Sequence, residues 1–153
     1  MSVKDRLAKL GIDISNAPMP AANYLPYVKT GNLVFISGQL PISDGAVVYM
    51  GKVGKDLQVN DAVEAAKLCC INILAQLNHA CEFDLEKVKR CVKLGVFVNS
   101  GDDFNIQPLV ANGASDFMIE VFGSKGQHAR FAVSANSLPR GAAVEIDAVF
   151  EIE

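Results

Sequence analysis

The chain contains no tryptophan, two histidines among 153 residues, and four cysteines in no metal-ligand spacing. Cys69, Cys70, Cys81 and Cys91 make neither a CxxC pair nor a Cys/His set. That argues against a metal site or a disulfide framework and for reduced, buried thiols. Lys and Arg are not clustered, and a net charge of −3 with a pI near 5.4 leaves no electrostatic footprint for a phosphate backbone. Nucleic acid is therefore not an expected partner. Long apolar runs are missing too: none approaches the roughly 18 residues of a membrane span, and the opening MSVKDRLAKLGID has no apolar signal core. No membrane association is expected, and the predicted compartment is the cytoplasm.

The chain is rich in apolar residues, 50% of the total against 20% charged. One domain over residues 1–153, with 1–15 as an N-terminal helical extension, can bury most of them. The excess predicts apolar surface covered by further copies. Val3, Leu7 and Leu10 recur at helical spacing and stop at Gly11. Tyr27-Val-Lys-Thr-Gly-Asn followed by Leu33-Val-Phe-Ile-Ser37 reads as a hairpin, ended by Gly38 and Pro41. Residues 46–50 offer a short edge strand. A long helix starts near Asp61 and carries Ala62, Ala66, Cys69, Ile73, Leu77 and Ala80 along one stripe. His79 near its end suits a C-terminal cation. Residues 92–98 form a β-branched central strand, and Ile106, Val110, Gly113, Phe117 and Val121 trace a second helix stopped by Gly123. The order predicts an α+β fold, two helices on one face of a mixed sheet of four to six strands.

Residues 128–149 read as two strands of a hairpin joined by Leu-Pro-Arg-Gly. Alternation assigns Ala129, Phe131, Val133 and Ala135 to the helix side, with His128, Arg130, Ala132 and Ser134 opposite. In the last strand Val144, Ile146, Ala148, Phe150 and Ile152 make the apolar face and Glu145 belongs to the other. Arg130 and Glu145 are thus expected on one face, away from the helices. An interface ion pair would use them. So would a carboxylate clamp, in which a guanidinium fork holds a substrate carboxylate and a glutamate directs water at an adjacent electrophilic carbon.

Several short motifs in their order resemble the RidA/YjgF family of reactive-intermediate deaminases: Pro26-Tyr27-Val28, Ser37-Gly38-Gln39-Leu40-Pro41, Val96-Phe97-Val98, Ala129-Arg130, Leu138-Pro139 and Val144-Glu145-Ile146-Asp147-Ala148. The resemblance implies a chorismate-mutase-like fold and a homotrimer with sheets facing inward. It also implies clefts between subunits where small imine or enamine acids such as 2-iminobutyrate and 2-aminoacrylate are hydrolysed to 2-keto acid and ammonia without a cofactor. By position it assigns Arg130 to the substrate carboxylate, Glu145 to the attacking water, and Tyr27, Ser37 and Gly38 to the opposite wall. Asn112 matches a family asparagine. Ala132 stands where several members carry cysteine, so only its backbone can contribute. Tyr24 is either a second ring near the mouth or a surface packing residue.

The N-terminal helix and the stretches 43–56 and 105–126 resemble a longer branch of the family. A trimeric binding or regulatory protein using the same clefts is the alternative activity. An endoribonuclease fits poorly with an acidic chain that lacks a basic groove.

Overall fold

The computed structural model describes residues 1–153. It begins with α1 (Val3–Leu10), which buries Val3 and Leu7 and ends at Gly11 in the left-handed conformation, φ 68°. A hairpin of β1 (Tyr27–Thr30) and β2 (Leu33–Gln39) follows, as the sequence predicts. Next come β3 (Ile42–Ser43) and β4 (Ala46–Val47), which pair with each other as a separate ribbon rather than as an edge of the main sheet.

Helix α2 (Val59–Ala80) starts two residues before Asp61, which caps it: the Asp61 carboxylate accepts the Gln58 backbone N–H at 3.0 Å. All six residues of its predicted stripe are buried. Strand β5 (Val88–Asn99) is longer than the apolar run alone suggests, and α3 (Gln107–Phe122) lies beside α2. Ile106 precedes α3 and is 40% exposed, so it leaves the predicted stripe. Gly113 stays in the stripe for a steric reason. A Cβ there would run into the Val63 carbonyl and stand 2.9 Å from Val63 Cγ1, so the helices touch backbone to backbone. Gly113→Ala is expected to cost about 1–3 kcal/mol in chemical denaturation, because overpacking outweighs the gain in helix propensity.

Strands β6 (Ala129–Ala135) and β7 (Val144–Ile152) complete a five-stranded sheet of order β1-β2-β7-β5-β6. Two expectations are corrected here. β6 and β7 are not a hairpin: β5 lies between them, parallel to β6 and antiparallel to β7. The faces of β6 are also inverted. Arg130 pairs with Leu94, Ala132 with Val96 and Ser134 with Val98, all residues of the helix-covered face, whereas Phe131 pairs with Gly95 and Val133 with Phe97 on the open face.

β7 follows its predicted alternation, with Val144, Ile146, Ala148, Phe150 and Ile152 buried under the helices in one core. The open face carries Val28, Phe35, Phe97, Phe131, Val133 and Val149, and of these Val28, Phe35 and Val133 are 42–50% exposed. Gly95 is required there because a Cβ would meet the Asp147 carboxylate and lie 2.7 Å from the Phe131 ring. No helix is long and apolar enough to cross a membrane.

Candidate functional site in two halves

Glu145 and Arg130 lie on opposite faces of the sheet and belong to separate clusters. Glu145 pairs with Phe97 on the open face. It reaches the end of β2, where the register breaks between Ile36 and Gln39 and Gly38 comes close. A Cβ on Gly38 would stand 3.0 Å from Glu145 Oε1, so a glycine leaves room for the carboxylate. Beside them is a cavity of about 180 Å³ lined by Tyr24, Gly38, Gln39, Gln76, Arg140 and Glu145, among others. Arg140 sits on the Leu-Pro-Arg-Gly turn with φ 57°, a left-handed backbone that is costly for a residue with a Cβ.

Glu145 makes no ion pair; the salt bridge of this chain is Lys87 to Glu82 at 2.7 Å. Burial raises the proton affinity of Glu145 above that of an ordinary glutamate, and the neighbouring Asp147 raises it further. A half-buried carboxylate without a cation is suited to take a proton from water rather than to hold the fold together.

Tyr24 therefore lines the cavity, while Tyr27 does not. Tyr27 pairs with Ile36 and packs its ring against the core. Ser37 works one step back: its hydroxyl donates to the Leu25 carbonyl at 2.7 Å and its N–H to the Pro26 carbonyl at 3.0 Å, which fixes the segment bearing Tyr24.

Arg130 rises from edge strand β6 toward α3. Its Nη1 donates to Asn112 Oδ1 and Ser115 Oγ, each at 3.0 Å, and Nη2 donates to the Pro108 carbonyl at 3.4 Å. Asn112, matched to a family asparagine by the resemblance, is thus one of the three residues that hold the Arg130 guanidinium. Ala132, half-buried, packs against the core on the same side. The sequence reading missed Ser115, although a residue three positions after Asn112 shares its helix face. It also missed Arg140, which had no periodicity to mark it.

Elsewhere, burial pushes the thiols of Cys69 and Cys70 well up and that of Cys91 up to about 12, so none is a nucleophile near neutral pH. His79 stacks edge-on against Phe83, ring centroids 4.9 Å apart. No three His, Cys, Asp or Glu side chains come together as a metal site.

A mixed sheet carrying helices on one face, with a hydrogen-bonded arginine on its edge strand, defines a class that comparison with known proteins identifies. Residues 4–150 match the family described as "YjgF/chorismate mutase-like, putative endoribonuclease". The chain belongs to this family, and its α+β fold is the chorismate-mutase-like one. It is 46% identical over 151 residues to Protein TCP17 of Trypanosoma cruzi, covering 98% of this chain and 94% of that one. The crystal structure of Atu1372 from Agrobacterium tumefaciens, a protein of unknown function, superimposes with a TM-score of 0.90 at 46% identity, covering 99% and 92% of the two chains. At 29% identity over 142 residues, 90% and 91% of the two chains, the sequence is also similar to a 2-iminobutanoate/2-iminopropanoate deaminase of Dermatophagoides farinae.

Proposed function

We propose that this protein hydrolyses small imine or enamine acids to 2-keto acids and ammonia, at sites built between copies of the chain. The observation that carries this reading is the separation of an anchored arginine and an unpaired, desolvated carboxylate onto opposite faces of one sheet. Each half is prepared for chemistry it cannot complete alone. A second copy that brings its Glu145 and Gly38 against Arg130 and Asn112 of the first makes both halves whole. The apolar open face, with Phe35, Val28 and Val133 exposed, supplies surface for that assembly, and a homotrimer with these faces inward is the arrangement we favour.

In such a cleft Arg130 binds the substrate carboxylate through a planar fork and sets the adjacent imine carbon beside Glu145. Glu145 takes a proton from water as the oxygen attacks that carbon. That proton passes to nitrogen to give a carbinolamine; the hydroxyl proton then moves to the same nitrogen as the carbon–nitrogen bond breaks, so that ammonia leaves and the carbonyl forms. No redox step is needed. The similar mite protein named as a deaminase supports this reading.

RNA cleavage draws less support. The chain is acidic, and its two histidines are occupied, His79 against Phe83 and His128 between Gly126 and Ser115. The test is to supply 2-iminobutyrate, generated in situ by oxidation of the amino acid, and follow 2-ketobutyrate. Acceleration over spontaneous hydrolysis is expected; its absence across short-chain imine acids would leave a binding protein.

A further inference from the structure

The guanidinium of Arg130 is held from behind by a chain of hydrogen bonds whose direction is fixed. Its Nη1 donates to Ser115 Oγ at 3.0 Å, and Ser115 Oγ lies 2.8 Å from His128 Nε2. On the far side of the imidazole, His128 Nδ1 lies 2.6 Å from the Gly126 carbonyl oxygen. A carbonyl oxygen only accepts, so the proton of the neutral ring sits on Nδ1 and Nε2 is left as an acceptor. The Ser115 hydroxyl must then donate to Nε2, which turns the lone pairs of Oγ toward Arg130. With Asn112 Oδ1 accepting the other Nη1 hydrogen and the Pro108 carbonyl accepting one from Nη2, only Nε–H and the second Nη2 hydrogen lack partners within the chain. Nε and Nη2 share one edge of the guanidinium, an edge that matches both oxygens of a carboxylate.

We propose that Ser115 and His128 are positioning residues that orient Arg130 toward the substrate carboxylate, with Gly126 setting the direction of the relay by fixing the histidine tautomer. This rests on the assignment of Arg130 to a carboxylate, but the relay itself does not depend on turnover. Gly126 cannot readily be another residue, since a Cβ there would collide with the Met118 carbonyl, so the turn that aims its oxygen at His128 is locked by packing under α3. The two side chains converge on Ser115 from different segments: His128 from the residue just before β6 and Arg130 from within it.

The experiment compares wild type with Ser115→Ala, His128→Phe and His128→Gln, measuring 2-ketobutyrate affinity by calorimetry, steady-state kinetics with 2-iminobutyrate, and the ¹⁵N shifts of His128. Ser115→Ala and His128→Phe should raise Kd and KM by about 3- to 10-fold with kcat within about twofold. His128→Gln, whose side-chain oxygen can replace Nε2 as acceptor, should restore both constants. The wild-type spectrum should show the Nδ1–H tautomer. An Nε2–H tautomer, or unchanged Kd and KM in Ser115→Ala, overturns the relay whatever the activity. If wild type binds 2-ketobutyrate, weakens as expected in the variants and yet turns over no imine, the relay stands and deamination falls.

Discussion

Glu145→Gln is expected to lower kcat for imine hydrolysis by about 10²–10⁴-fold, the usual contribution of a positioned general base, while leaving 2-ketobutyrate affinity within a few fold. The amide keeps the shape of the side chain beside Gly38 but cannot accept a proton from water. The same change should not destabilise the protein at neutral pH. Burial and Asp147 raise the proton affinity of Glu145, so the folded chain holds that proton more tightly than the unfolded chain does. Stability from this group is therefore present at low pH and is lost as pH rises through the folded-state value. Glutamine removes that loss, so the variant should melt no earlier than wild type at pH 7, with its advantage shrinking on acidification. Activity follows the opposite direction. In the proposed mechanism the ionised carboxylate is the working form, so the acid limb of kcat should lie above the ordinary glutamate value of about 4.3. Asp147→Asn should move that limb toward it.

Arg130→Ala is expected to cost about 10²–10³-fold in kcat/KM, most of it in KM, because a carboxylate taken into the cleft loses its charged partner. Arg130→Lys should recover little. An ammonium is a single point charge and cannot satisfy Asn112 Oδ1, Ser115 Oγ and the Pro108 carbonyl while offering a two-pronged edge to substrate. Comparable activity from the lysine variant would mean that Arg130 acts only through its charge. The contrast between the two substitutions matters: Glu145→Gln separates chemistry from binding, whereas Arg130→Ala weakens binding first.

Much of the scaffold is legible in the sequence because the local patterns are strong. The α2 stripe from Ala62 to Ala80 has an unbroken helical period, Gly11 and Gly123 mark helix ends, and β7 alternates with branched residues under the helices. The faces of β6 were not legible. Alternation separates two sets of side chains but does not say which set is covered, and the usual choice is the more apolar one. Phe131 and Val133 are the more apolar set, yet they lie on the open face because that face is itself apolar; Arg130, Ala132 and Ser134 turn to α3. Nor could the sequence show β5 entering between β6 and β7, since the short Leu-Pro-Arg-Gly link suits a hairpin. Both errors had one effect: they placed Arg130 and Glu145 side by side in one chain. Asn112 was singled out through the resemblance, while the contact of its neighbour Ser115 with Arg130 needed the structure.

The proposed division of the site between chains has a direct consequence for mixtures. Arg130→Ala and Glu145→Gln should each be nearly inactive alone. When they are unfolded together, mixed in equal amounts and refolded, each site draws its arginine and its glutamate from different chains. About a quarter of sites then receive both intact residues, whatever the size of the ring. Recovery of about a quarter of wild-type 2-iminobutyrate turnover in the refolded mixture is the predicted result; a mixture no more active than its two parents would contradict a shared site.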